Sequence, residues 1–190
     1  MTHPLLILAS ASPRRAELLR ELGMSFEVIP ADVPEADHEQ LTAAELCQIN
    51  AYRKARVIAK RFPAAVVLGA DTLVTLGTTT FAKPTNLADA QRMLWQLQGR
   101  THTVVTGVCL LHLAAHRCRI FAEQTAVTFR QLDAMQIDEY LRRINPLDKA
   151  GAYAIQEHGA MIVKSISGSY SNVVGLPVER VQPILESWGV

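Results

Sequence analysis

LILASASPRRAELLRELG, residues 6–23, decides how the rest of the chain is read. Leu5 to Ala9 is a continuous apolar run ended by small polar residues, which predicts a short buried strand. Ser12 stands where an N-cap belongs, and Pro13 suits the first helical position, where its missing N–H costs nothing. Leu18, Leu19 and Leu22 make an apolar stripe, and Gly23 ends the helix. A strand running straight into a helix opens an α/β sheet, and such junctions are where open sheets place ligands. A helix start exposes N–H groups with partial positive charge. Arg14 and Arg15 add two full charges that oppose the helix dipole, so an anion beside the serine hydroxyls is expected to offset them. Phosphate fits that description.

Outward from this unit, Ser25 to Ile29 reads as a second strand leading into ADVPEADHEQ, an acidic loop at 31–40 that holds Asp32, Glu35, Asp37 and Glu39. Thr42 and Glu45 have capping-box spacing and open a helix to about Lys60. Ala64 to Leu76 is an apolar, β-branched strand that Gly69-Ala70-Asp71-Thr72 is expected to interrupt. After a turn at 76–80, a helix capped by Asn86 runs to Gln98 and stops at Gly99. Thr101 to Leu113 and Ile120 to Phe129 form an expected antiparallel hairpin around His116-Arg117. Asp133 starts another helix that ends near Asn145-Pro146. Glycine- and serine-rich loop with short strand follows, and a last helix spans Pro177 to Trp188. Alternating strands and helices followed by a hairpin predict an α/β fold with a mixed sheet.

Composition narrows the function classes. The 190 residues are 49% hydrophobic and 19% charged, an ordinary globular balance. A net charge of +1 supplies no general nucleic-acid footprint, so any basic site must be local. No apolar run reaches the roughly 20 residues that span a bilayer, and MTHPLLILAS lacks a charged region ahead of a long apolar core, so a cytoplasmic protein without membrane partners is expected. Cys47, Cys109 and Cys118 are scattered, with no CxxC pair, and suggest neither disulfides nor structural zinc.

Asp71 lies in an otherwise apolar strand, where a buried carboxylate needs a cation, a metal or hydrogen-bond donors. Lys54 falls in mid-helix between Arg53 and Arg56, a pattern that also suits a solvated face. Lys83 precedes Pro84, which holds its backbone extended. Arginines at a helix start, two isolated lysines and two carboxylates, Glu35 and Asp71, able to hold a hard divalent cation form the inventory of polyphosphate chemistry. There is no GxxxxGK[ST], no GxGxxG after a strand, no GxSxG and no HExxH.

The segments ASASPRRAELL, GADTLV, KPTNLADAQRML, LQGRTHTVVTGV, EQTAVTF, DKAGAYAIQ and GSYSNVVGLP resemble, in this order, the signature segments of the Maf family of septum-formation-inhibitor-like nucleoside triphosphate pyrophosphatases. The resemblance covers nearly the whole chain. It implies one domain over residues 1–190, an elongated mixed sheet flanked by helices, and two lobes with a central cleft in the architecture of inosine triphosphate pyrophosphatases. It also implies hydrolysis of a nucleoside triphosphate to the monophosphate and pyrophosphate with a divalent cation, magnesium or manganese. Carried over by motif, Ser10, Arg14, Arg15, Lys54 and Lys83 bind phosphates, and Asp71 is the general base or positions the water. Glu35 and Asp71 would ligate the metal, although the PEADH loop matches the family only loosely. Ala82, before Lys83, stands where many relatives carry Glu or Gly.

Within the family, the DKAGAYAIQ segment resembles the branch acting on dTTP and UTP. Gln156 can both donate to and accept from the O4 and N3–H edge of uracil or thymine. By resemblance, Arg14 and Thr72 join it in setting specificity. The alternatives are the same reaction on 7-methyl-GTP or another modified nucleotide, and a nucleotide-binding regulator of septum formation. The resemblance allows a homodimer, and no nucleic-acid partner is expected.

Overall fold

The computed structural model describes residues 4–36, 38 and 40–190; Asp37 and Glu39 of the acidic loop lie outside these. Strand β1 (Leu6–Leu8) leads into helix α1 (Pro13–Glu21), and β2 (Glu27–Val28) precedes helix α2 (Ala43–Ala59). Then come β3 (Val66–Leu76), β4 (Thr79–Phe81), helix α3 (Leu87–Leu97), β5 (Thr101–His112) and β6 (Arg117–Phe129). Helix α4 (Ala134–Arg143), β7 (Val163–Ser167), α5 (Tyr170–Val174) and α6 (Val178–Ser187) complete the order. Among the described residues the strands form one seven-stranded sheet in the order β2-β1-β3-β5-β6-β7, with β4 paired to β3. β1 is parallel to both β2 and β3, whereas β3–β4 and β6–β7 are antiparallel. The expected mixed α/β sheet is therefore present.

The local signals explain the helix starts. Thr42 and Glu45 form a reciprocal capping box on α2, Asn86 accepts from Asp89 N on α3, and Asp133 and Gln136 form a second capping box on α4. Gly23 and Gly99 take the positive φ expected beyond α1 and α3. Three expectations change. The turn read at 76–80 narrows to Gly77-Thr78, since β3 runs to Leu76 and β4 starts at Thr79. Gly69-Ala70-Asp71-Thr72 does not interrupt its strand: β3 is a continuous 11-residue strand. The stretch from Asp148 to Pro177, expected to be loop with short strand, also contains the short helix α5.

The chain divides into two compact units. The first comprises Met1–Asp71, Thr106–Glu123 and Gly175–Val190, and the second Thr72–Val105 and Gln124–Val174. The first buries Ile7, Ala9, Val67, Cys109 and Leu111 against Ala51, Ala55, Ile58 and Ala59 of α2. Two glycines let this helix lie directly on the sheet. A Cβ at Gly69 would collide with the Ala51 carbonyl oxygen and come within 2.9 Å of Ala55 N, and one at Gly107 would collide with the Cys47 backbone. The second unit packs α3 and α4 residues Leu94, Leu97, Ile137 and Tyr140 with Val74, Phe81, Val104 and Phe129. Among the described residues, no helix is long and apolar enough to cross a membrane.

Candidate active site

Asp71 sits on β3 two residues after Gly69, so the two occupy the same face of the strand, the face covered by α2. The close approach that Gly69 permits brings α2 side chains onto the Asp71 carboxylate. Asn50 and Lys54 are one helical turn apart and act as a pair. Lys54 Nζ donates to Asp71 Oδ1 at 2.6 Å, and Asn50 Nδ2 donates to Asp71 Oδ2 at 3.2 Å. Both oxygens of a carboxylate that is 5% exposed are thereby satisfied.

Lys54 Nζ also pairs with Glu35 Oε1 at 2.6 Å, so one ammonium joins the buried carboxylate to a loop carboxylate whose side chain is 54% exposed. Asn50 fixes that loop as well. Its Oδ1 accepts from Ala36 N at 2.7 Å, and its Nδ2 donates to Ala36 O at 3.2 Å. Burial pushes the Asp71 carboxyl above the usual aspartate range; Lys54 pulls it back and the Glu35 charge raises it again. The result is a positioned carboxylate with raised proton affinity, as a general base at neutral pH requires.

Ser10 and Arg15 lie in the same unit. Arg15 is buried, and its guanidinium donates to Ser10 Oγ at 3.0 Å, Ala70 O at 3.0 Å and Gly175 O at 2.8 Å. Burial lowers its proton affinity, while the Asp71 charge raises it. Arg15 thus braces the strand at the residue before Asp71 and fixes the Ser10 hydroxyl, which also accepts from Ser12 N at 3.2 Å. Ser12 occupies the N-cap position of α1 but makes no side-chain cap hydrogen bond, contrary to the sequence expectation. Arg14, between Pro13 and Arg15 in the first turn, is half-buried.

Of the expected site residues, Ser10, Arg15, Lys54, Glu35 and Asp71 are thus linked by side-chain contacts or by adjacency on β3. Thr72, Lys83 and Gln156 belong to the second unit. Thr72 is half-buried on β3, directly after Asp71. Lys83 is exposed, and its neighbour Ala82 accepts from Gly151 N at 3.1 Å, which ties the KPT segment to DKAGAYAIQ. Gln156 is exposed on a turn.

A divalent cation is testable against this donor set. Among the described residues there is no group of three or more His, Cys, Asp or Glu able to hold a metal. Glu35 and Asp71 are nevertheless hard oxygen donors joined through one cation, and magnesium commonly takes one or two carboxylates and fills its shell with water and substrate phosphates. The residues fit a metal shared with a polyphosphate, and they do not fit a permanent structural metal.

Sequence reasoning missed Asn50 and Lys149. Asn50 carried a signal, because it falls inside the apolar stripe of Leu46, Cys47, Ala51 and Ala55 on α2. Lys149 is 4% exposed beside Ala150, Gly151 and Ala152, an unusual setting for an ammonium.

The sequence model of the Maf-like protein family matches residues 5–188. A Symbiobacterium thermophilum protein named dTTP/UTP pyrophosphatase is 47% identical over 191 residues, covering 97% of this chain and 94% of its own. A Myxococcus xanthus protein of the same name is 46% identical over 186 residues, with 98% and 93% covered. Another from Pelotomaculum thermopropionicum is 42% identical over 184 residues, with 97% and 96% covered. Among solved structures, the Staphylococcus aureus Ham1 protein aligns with a TM-score of 0.50 at 15% identity, over 96% of this chain and 98% of that one. That likeness concerns the fold.

Proposed function

Because the chain belongs to the Maf-like protein family, we propose that it hydrolyses nucleoside triphosphates, dTTP and UTP before others, to the monophosphate and pyrophosphate. The relatives named dTTP/UTP pyrophosphatase support the reaction and the substrate class. The observation that carries the chemistry is the buried Asp71 carboxylate held by Lys54 and Asn50 and joined through Lys54 to Glu35.

In the proposed reaction, water attacks the α-phosphorus. A new P–O bond forms there as the bond to the bridging oxygen breaks, and pyrophosphate leaves. Asp71 orients the water and takes its proton, with Asn50 fixing the plane of the carboxylate. Lys54, Ser10 and Arg14 offset phosphate charge, a role Lys83 takes on the resemblance of its segment alone, and the buried Arg15 holds Ser10 and the Ala70 carbonyl in place from within the fold. Glu35 and Asp71 would hold a magnesium or manganese ion, which supplies charge neutralisation at phosphoryl oxygens when bound. Gln156 reads the pyrimidine edge, with Arg14 and Thr72, on the resemblance of their segments. We also propose that it acts in the cytoplasm, where nucleotide pools are.

Hydrolysis of UTP in ¹⁸O-labelled water with magnesium tests the attack position. The reading predicts label in UMP and unlabelled pyrophosphate. Label in the pyrophosphate, or release of orthophosphate, contradicts it.

A further inference from the structure

The segment that carries Gln156 is held in an unusual backbone. Gly151 and Ala152 are consecutive left-handed residues, at φ 69° and 63°, and His158 follows at 56°. An alanine keeps that conformation only where its surroundings over-determine it. Several pins do so. Ala152 N donates to Lys149 O at 3.0 Å, and Gly151 N donates to Ala82 O at 3.1 Å. The Tyr140 hydroxyl donates to Ala154 O and accepts from Ala154 N, both at 3.1 Å. The Tyr153 hydroxyl lies 2.8 Å from His102 Nε2. These contacts fix residues 151–154 and leave the turn at 155–158, which presents Gln156, to be closed by something else.

Lys149 closes it. Its buried ammonium donates to Asn145 O at 2.7 Å and Asp148 Oδ1 at 2.8 Å, and pairs with Glu157 Oε1 at 3.2 Å. Two hydrogen-bond acceptors and one ion pair, all from residues 145–157, commit this lysine to its own segment. The Glu157 contact reaches back from the residue adjoining Gln156 to the start of the segment. A glutamine amide offers both a donor and an acceptor, and the position of its backbone decides which base edge the pair can reach.

We propose that Lys149, acting through Glu157, is a positioning residue for Gln156, and that this latch sharpens discrimination between the uracil or thymine edge and that of cytosine. The inference rests on the pyrimidine reading above. Neither Lys149 nor Glu157 touches the reacting atoms in it.

The test compares the wild type with Glu157→Ala and Glu157→Gln, using amide hydrogen exchange over residues 153–158 and kcat and KM for dTTP, UTP and CTP. In Glu157→Ala the latch predicts faster exchange confined to that stretch and a KM for dTTP and UTP raised roughly three- to tenfold. It also predicts little change in kcat and a smaller preference over CTP, with partial rescue in Glu157→Gln. Unchanged exchange and kinetics overturn the proposal, as does an equal fall in kcat for all three nucleotides at constant KM. A wild type with no preference for dTTP and UTP would defeat the substrate reading instead, and the latch would then stand or fall on the exchange rates.

Discussion

Asn50 is the residue on which the geometry of Asp71 depends most directly, since it bonds the carboxylate and both polar backbone atoms of Ala36. Replacing it by alanine leaves one carboxylate oxygen without that donor and loosens the loop carrying Glu35. A cost of about 1–2 kcal/mol, roughly tenfold in kcat, is expected, with nucleotide binding retained. Steady-state kinetics check this, and an unchanged kcat would refute it. His102 offers a separate residue-scale prediction. It is 2% exposed between Phe129 and Tyr153, and burial lowers its pKa from 6.5 to about 4. The unfolded chain therefore binds this proton first, so stability is unaffected above pH 6.5 and falls as the pH drops from there towards 4. The loss attributable to this group is about 3 kcal/mol at most. Urea midpoints measured across that range should fall more steeply for the wild type than for His102→Gln; parallel curves would contradict the assignment. Most members of the linked cluster stood out in the sequence because their types are costly in their settings: Asp71 in an apolar strand, and arginines at a helix start. Asn50 was not, because an uncharged amide in a helix stripe is easily read as tolerated polarity.

At the scale of elements, the misread stretch is also the instructive one. Gly69-Ala70-Asp71-Thr72 suggested a break because glycine usually marks a turn, yet β3 passes through it unbroken. The glycine serves close approach: it leaves room for the α2 backbone at Ala51 and Ala55, as Gly107 does at Cys47. Sequence pattern reports backbone freedom and helix-to-sheet closeness through the same residue type, and only the fold separates them. Gly69→Ala and Gly107→Ala are each expected to destabilise the chain by about 1–3 kcal/mol through overpacking, visible as a lower urea midpoint. A wild-type midpoint would show that α2 does not rest on those positions. By contrast, the helix boundaries that carried side-chain caps were readable in advance. Thr42→Ala should cost about 1 kcal/mol, since it removes the acceptor for Glu45 N and the hydroxyl that donates to Glu45. The short α5 was hidden because five residues, Tyr170 to Val174, are too few to show helical periodicity.

At the scale of the whole molecule, most of the order of elements followed from periodicity and caps, β4 and α5 excepted, while the sheet order β2-β1-β3-β5-β6-β7 depends on pairings between distant strands that local pattern does not encode. The proposed function rests on one claim: that Asp71, held by Lys54 and Asn50, activates water for nucleotide hydrolysis. The most direct test is metal-dependent pyrophosphate release from dTTP and UTP by the wild type and by Asp71→Asn, with nucleotide binding measured in parallel and a chelator control. The account predicts turnover by the wild type that the chelator abolishes, and a variant roughly 10²- to 10⁴-fold slower that still binds nucleotide. An Asp71→Asn protein that releases pyrophosphate as fast as the wild type would contradict it, and so would a wild type that binds these nucleotides and releases none.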